Sequence, residues 1–259
     1  MSPHPLALFS LFPITDPAKA VVQHPCNKHL VSQLENEIVL DIGHTRSISG
    51  DHATLATLGR HGDITIEGRN ISRIQCSFEI DNETKVVMFY DRSHSQTCQV
   101  FGEGATPFVY GRPRKVVVQP KLNTIIGIGG VYRDLIQFEL VWHTNIDTTK
   151  EWVKTREKTA LAENARFART VDDTDTVLPT GVMTRINTAG SRLQRIRYET
   201  IGDRIGAGQS AEVYKAVNVD TGQLIAVKIL KWSVGSATQK EWMAVKREIE
   251  IHSSISHVS

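Results

Sequence analysis

The feature that most constrains this chain is a rhythm. Between Glu37 and His143 short β-branched and apolar runs recur about every ten residues: "EIVLDI", "ITI", "CSFEI", "KVVMFYD", "TCQVF", "KVVVQ", "NTIIGI" and "LIQFELVWH". Gly43, Gly50, Gly59, Gly62, Gly68, Gly102, Gly104 and Gly111 fall between them, where turns are needed. Apolar residues at helical spacing are hard to find in this region. Many short strands separated by turn residues form a β-sandwich. The reading is therefore a sandwich over 37–143, with 1–36 as a poorly ordered N-terminal segment.

Composition bounds the function classes. Of 259 residues, 40% are hydrophobic and 22% charged, enough apolar material for a real core. The formal charge of +2 provides no global field for nucleic acid, so any charged partner has to be met locally. No direct nucleic-acid partner is expected. Cys26, Cys76 and Cys98 are odd in number and lack metal-ligand spacing, which suits a reducing, nuclear or cytoplasmic setting. The apolar run Leu6 to Phe12 and the small residues Ala18 to Ala20 resemble part of a signal peptide, but a basic start is missing and Pro3, Pro5 and Pro13 interrupt it. No stretch approaches the ~20 apolar residues of a membrane span, so no membrane partner is expected.

After His143 the texture changes. "NIDTTKEWVKTREKTALAENARFART" is polar and helix-permissive, and "VDDTDTVLPTGVMTRINTAGS" is rich in Thr, Asp and Gly, so 144–197 reads as a helical or disordered linker. Strands return at Tyr198. They are joined by "NVDTGQL", a hairpin signal, and "ATQKEWMAVKREIEIHSSIS" then puts Trp242, Val245 and Ile249 on one helical face.

Between the first two of these strands lies Gly206-x-Gly208-x-x-Ala211-x-Val213. Glycines there let backbone N–H groups approach phosphate oxygens. A dinucleotide-binding turn would lead into a helix and carry an acidic residue about 20 positions on. Here a strand follows and that position is Lys231, so the dinucleotide reading fails. A glycine pair alone is more often a plain hairpin, and a lone strand lysine is usually solvated.

Taken together, "IGAGQSAEV", "IAVK" and "KREIEIHSSISH" resemble the N-terminal lobe of protein kinases over 198–259. The resemblance implies an incomplete α+β kinase N-lobe with ATP against Ile205, Gly206, Ala207, Gly208, Val213, Ala226 and Lys228. Lys228 would hold the α and β phosphates and Glu248, on helix C, would pair with it. Ala211 stands for the third glycine. In that family the base and the Mg²⁺ carboxylates come from H-R-D and D-F-G motifs. Neither follows Glu248, so no catalytic or metal-binding residue is assigned, and ATP with Mg²⁺ is expected to bind weakly or not at all. "YRDLIQFE" at 132–139 imitates a catalytic loop, but Asp134 reads as a turn carboxylate before the last sandwich strand.

"LGRHGDITIEGRNISRIQCSF", residues 58–78, resembles the Forkhead-associated (FHA) domain. That family grips a phosphothreonine with the Arg of Gly59-Arg60 and with Ser72. A phosphothreonine brings about −1.5 to −2 charges and three acceptor oxygens; Arg offers a planar fork of donors and Ser a short hydroxyl. Gln75 replaces the His that usually braces the site. In the later loop Asp91-Arg92-Ser93-His94-Ser95-Gln96-Thr97, Ser95 replaces an Asn that holds the peptide backbone and Gln96 replaces a turn Gly. Arg69 and Arg73 flank the same region. Thr170-Val-Asp-Asp173 resembles an FHA target, so a self-association in which phosphorylated Thr170 of one copy docks on Arg60 of another is an expectation.

A SMAD/FHA-like sandwich followed by a kinase lobe resembles the fungal and animal checkpoint Ser/Thr kinases. The implied function is a phosphothreonine-peptide-binding module with a non-catalytic nucleotide lobe, cut off just after helix C. The alternative is a fragment of an active ATP-dependent kinase of DNA-damage signalling.

Overall fold

The structure, a computed structural model, describes residues 2–81, 84–110, 112–143, 196–208 and 211–231. They divide into two compact units. Among their described residues, the first holds those from 2 to 143 together with Arg197–Glu199 and Val217–Ile225, and the second holds Ile196, 200–208, 211–216 and 226–231.

The first unit is two mainly antiparallel sheets. One contains β1 (Phe9–Pro13), β2 (Val31–Leu34), β3 (Glu37–Ile42), β8 (Cys98–Phe101), β10 (Ile125–Ile128) and β11 (Ile136–Trp142), in the order β2-β3-β1-β11-β10-β8. The other contains β4 (Thr54–Gly59), β5 (Ile64–Thr65), β6 (Cys76–Ile80), β7 (Val87–Asp91) and β9 (Lys115–Val118), in the order β5-β4-β6-β7-β9. Strand side chains alternate between faces, so each inner face contributes every second residue to the core. The Phe9 and Phe78 rings, one from each sheet, meet edge-on at 5.1 Å, and Phe78 continues to Phe89 at 5.3 Å. All three are fully buried.

Each predicted run between Glu37 and His143 becomes a strand. Residues 1–36, expected to be poorly ordered, are a correction. β1 lies inside the first sheet, pairing with β3 on one side and with all five residues from Phe138 to Trp142 on the other. A helix, α1 (Asp16–Val22), and a 3₁₀ turn (Pro25–Leu30) connect it to β2. Ala7, Leu8, Phe9 and Leu11 are almost completely buried, so this segment supplies core rather than tail. Thr15 caps α1 by accepting from the Ala18 amide, and Pro17 sits in the first turn, where its missing N–H costs nothing.

In the C-terminal region β12 (Tyr198–Ala207), β13 (Ala211–Asn218) and β14 (Leu224–Leu230) form a sheet in that order, strands where strands were predicted. Within the second unit Glu212, on the central strand, pairs with Arg204 at 2.6 Å and Lys231 at 3.2 Å, and accepts from the Tyr214 hydroxyl at 2.8 Å. The hydrogen bonds from Tyr214, Lys231 and Arg204 hold its carboxyl down at about 2. The predicted helix, with Trp242, Val245, Glu248 and Ile249, lies outside the described residues, as does Thr170. No helix among the described residues is long and apolar enough to cross a membrane.

Candidate functional site

Three loops at one end of the sandwich are tied together by a short series of hydrogen bonds. The first leaves β4 at Gly59. A Cβ on Gly59 would stand 2.4 Å from the Arg73 carbonyl oxygen and 2.8 Å from the Gln75 nitrogen. Only glycine lets the second loop, between β5 and β6, come so close. The two backbones are then stitched: the Arg60 amide donates to Ser72 O at 3.1 Å and the His61 amide to Arg73 O at 2.9 Å.

This closeness sets the Arg60 side chain. Its Nε donates to the Ile71 carbonyl at 2.7 Å, which aligns the guanidinium along the second loop. Its terminal nitrogens make no hydrogen bond among the described residues, and the residue is exposed. Ser72 is half-buried on the adjoining loop, so the structure brings Arg60 and Ser72 to neighbouring positions. Exposed Arg69 and Arg73 add cationic groups to the second loop.

Gln75 does what the sequence did not reveal. It is fully buried, and its amide oxygen accepts from the Ser72 N–H at 2.9 Å while its amide nitrogen donates to the Thr97 hydroxyl at 2.7 Å. An amide carries both a donor and an acceptor, so one side chain can join a backbone N–H to a hydroxyl on a third loop. That third loop, between β7 and β8, carries Ser95 and Gln96, both exposed. Gln96 has φ 51°, the left-handed region where the resembled family has glycine, so it carries the backbone strain that glycine would avoid.

The third loop is held from beneath. Arg114 contacts the buried carboxylate of Asp91 and also donates to the carbonyls of Gln96 at 3.1 Å and Cys98 at 2.8 Å. Asp91 accepts from the Ser93 hydroxyl at 2.5 Å, and Ser93 Oγ accepts from the Thr97 amide at 2.9 Å. On the other side Asp63 gathers the loop after β3, accepting from Ser47 Oγ at 2.5 Å, Ile48 N at 2.8 Å and Thr57 N at 2.9 Å. Burial alone would raise the Asp63 carboxyl, but these hydrogen bonds outweigh it and hold the group below its ordinary value. Asp63 and Arg114 were invisible as site residues, because charge in a turn is usually solvated; their burial is set by partners far away in sequence.

The glycine loop between β12 and β13 is built differently. Among the described residues a Cβ on Gly206 would meet nothing nearer than Val213 at 3.8 Å, and one on Gly208 nothing nearer than the Ala211 oxygen at 3.8 Å. Neither glycine is required by packing within the described chain. Ile205, Ala207, Gly208, Ala226 and Lys228 are exposed, and Val213 is half-buried beside Gly206. Glu248 lies outside the described residues. No cluster of three or more His, Cys, Asp or Glu that could hold a metal occurs among the described residues. Asp134 falls between β10 and β11, a connection inside the sandwich.

No protein-family model matches the chain, and no curated protein matches it. Among solved structures it is similar to a crystal structure of Rad53 1-466 in complex with AMP-PNP, at TM-score 0.40 and 16% sequence identity, over 88% of this chain and 48% of that one. The chain thus spans about half the length of that protein chain. A likeness at this score is a distant one, and no residue role is taken from it.

Proposed function

We propose that the chain is a phosphothreonine-peptide-binding module of FHA type followed by nucleotide-binding strands of protein-kinase type. The observation that carries the first half is the staging of Arg60. The Ile71 carbonyl takes its Nε and leaves the forked terminal nitrogens for an anion, next to Ser72 on a loop that Gly59 and Gln75 keep in place. A phosphate dianion brings more charge to such a fork than a carboxylate does, and a third acceptor oxygen for a further donor. Ser72 would donate its hydroxyl to the same phosphate, and Ser95 and Gln96 would flank the peptide backbone. The site would act as a docking site for phosphorylated proteins, nuclear or cytoplasmic, with no chemistry performed there.

For the second half, the spare glycines at 206 and 208 support a phosphate close to the backbone, with Lys228 on β14 reaching for it. ATP with Mg²⁺ is the ligand that suits these residues. Bound, it would supply the phosphoryl group; the chain's own part is to cradle and orient phosphate. The affinity expected is weak.

Two titrations of the full chain test the reading. Phosphothreonine peptides with randomised flanks are expected to bind, and their unphosphorylated forms not to. Equal binding of the two forms would end the phosphopeptide half. Mg-ATP is expected to bind more weakly than micromolar, and micromolar affinity would contradict the expected weakness.

A further inference from the structure

The outer edge of the second sandwich sheet is covered by residues from more than 70 positions downstream. Among the described residues β9 is the last strand of its sheet and pairs with β7 alone, so one row of its backbone groups has no strand partner there. Such an edge is a template for pairing with another chain. Here the Val117 amide donates to the Val219 carbonyl at 2.8 Å, and Val219 N in turn donates to Arg197 O at 2.9 Å.

The cover extends over the sheet's outer face. Phe89 and its partner Val116 face the core, so their neighbours Met88 and Val117 face outward by the two-residue alternation. Met88 and Val117 are nevertheless fully buried. Gly222 lies against them: a Cβ there would come within 3.0 Å of Met88 Sδ, and its φ of 78° suits glycine. Val217 and Val219 are also buried, which makes this a small apolar seat rather than a surface touch.

Asp220 fastens it. The carboxylate is 4% exposed and is contacted by Arg112 and by Arg197, whose Nε lies 3.1 Å from Oδ1, while Arg197 Nη1 also donates to Pro107 O at 2.7 Å. Removing so deeply buried a carboxylate would take the counter-charge from the partly buried Arg197 guanidinium, a strongly unfavourable change. The seat is local: all of these residues belong to the first compact unit.

We propose that Asp220, Arg112 and Arg197 form a latch that closes the segment Val217–Ile225 over the β9 edge. The sandwich is thereby discontinuous in sequence, completed by the hairpin turn of the strands that follow it. The occupant of the edge is this chain's own turn, chosen by a hydrogen-bonded valine and a buried acid. Opening the latch uncovers Met88, Val117 and the unpaired β9 backbone together.

Hydrogen exchange of the full chain, read peptide by peptide, tests this. Asp220→Ala is expected to raise exchange at 115–119 at least tenfold while 54–59 and 76–80 exchange as in the parent. Arg112→Gln, which leaves Arg197 on the acid, is expected to give a smaller rise at the same peptide and carries the test if Asp220→Ala does not fold. Unchanged protection at 115–119 in either folded variant overturns the latch. So does a uniform rise across the whole sandwich, which would make Asp220 an ordinary stabilising residue.

Discussion

Glycine does opposite work in two regions of this molecule. At Gly59 a methyl group would strike backbone at 2.4 Å, so the residue exists to let two loops of the same chain touch. At Gly206 and Gly208 a methyl group would meet only ordinary contacts at 3.8 Å among the described residues, so packing there does not call for glycine. One glycine is explained by the fold. The other two are not explained by packing among the described residues, and they are what supports the proposed phosphate cradle. The same contrast holds for side chains: Gln75, Asp91 and Asp63 are spent on holding loops together, while exposed Arg60 commits only its Nε to the fold.

The largest expected effect tests that contrast directly. Gly59→Ala should cost on the order of 3 kcal/mol, because rigid backbone on the opposing loop has to move. Gly206→Ala should leave stability within about 1 kcal/mol of the parent, in the stabilising direction, since glycine weakens a strand. Urea unfolding of both variants measures it. Equal costs at the two positions would erase the distinction.

A middle-sized effect belongs to Gln75. Replacing it with Ala removes the partner of the Ser72 amide and of the Thr97 hydroxyl, for about 1–3 kcal/mol. Gln75→His, restoring the residue of the resembled family, should recover part of this. Thermal unfolding of the two variants separates a specific brace from simple filling of space.

Between pH 7.5 and 6.0 a pH effect should arise in the sandwich. Burial pushes the His44 and His143 imidazoles below their ordinary value; His4 also lowers His44, and Asp41 opposes the shift in both. A depressed folded pKa means that the unfolded chain binds the proton more readily. Above pH ~6.5 both rings are neutral in both states and contribute nothing. As pH falls below that, stability declines, and the decline levels off once the folded rings also take up protons. Denaturant midpoints at pH 7.5, 6.0 and 5.0 should fall in that order, and the double variant His44→Gln/His143→Gln should flatten the slope between the first two.

The smallest expected effect is at Gln96. Relief of its left-handed strain by Gln96→Gly is partly offset by the extra freedom of unfolded glycine, leaving a gain of a few tenths of a kcal/mol. Calorimetry should register a small upward shift in Tm.

Much of the sandwich was legible in the sequence because two-residue alternation and turn glycines are local signals. β1 escaped because "FSLFP" ends in proline and reads as an interrupted apolar run; its strand character comes from β3 and β11 on either side, which no local window contains. β4, "TLATLG", escaped because all six residues are buried, so no polar alternation marks it. At the site, Arg60 and Ser72 were readable from the resemblance. Gln75 was legible only as a missing His. Its real role depends on Thr97, 22 residues away, and on the amide having a donor and an acceptor at one tip.

The central claim is that Arg60 is held ready for a phosphate, and affinity at that one side chain tests it most directly. Fluorescence anisotropy with randomised-flank phosphothreonine peptides should give saturable binding to the full chain, lost by at least tenfold in Arg60→Ala, whose unfolding midpoint stays within about 0.5 kcal/mol of the parent. Binding that survives in Arg60→Ala, or a parent chain that ignores phosphorylation, would contradict the account.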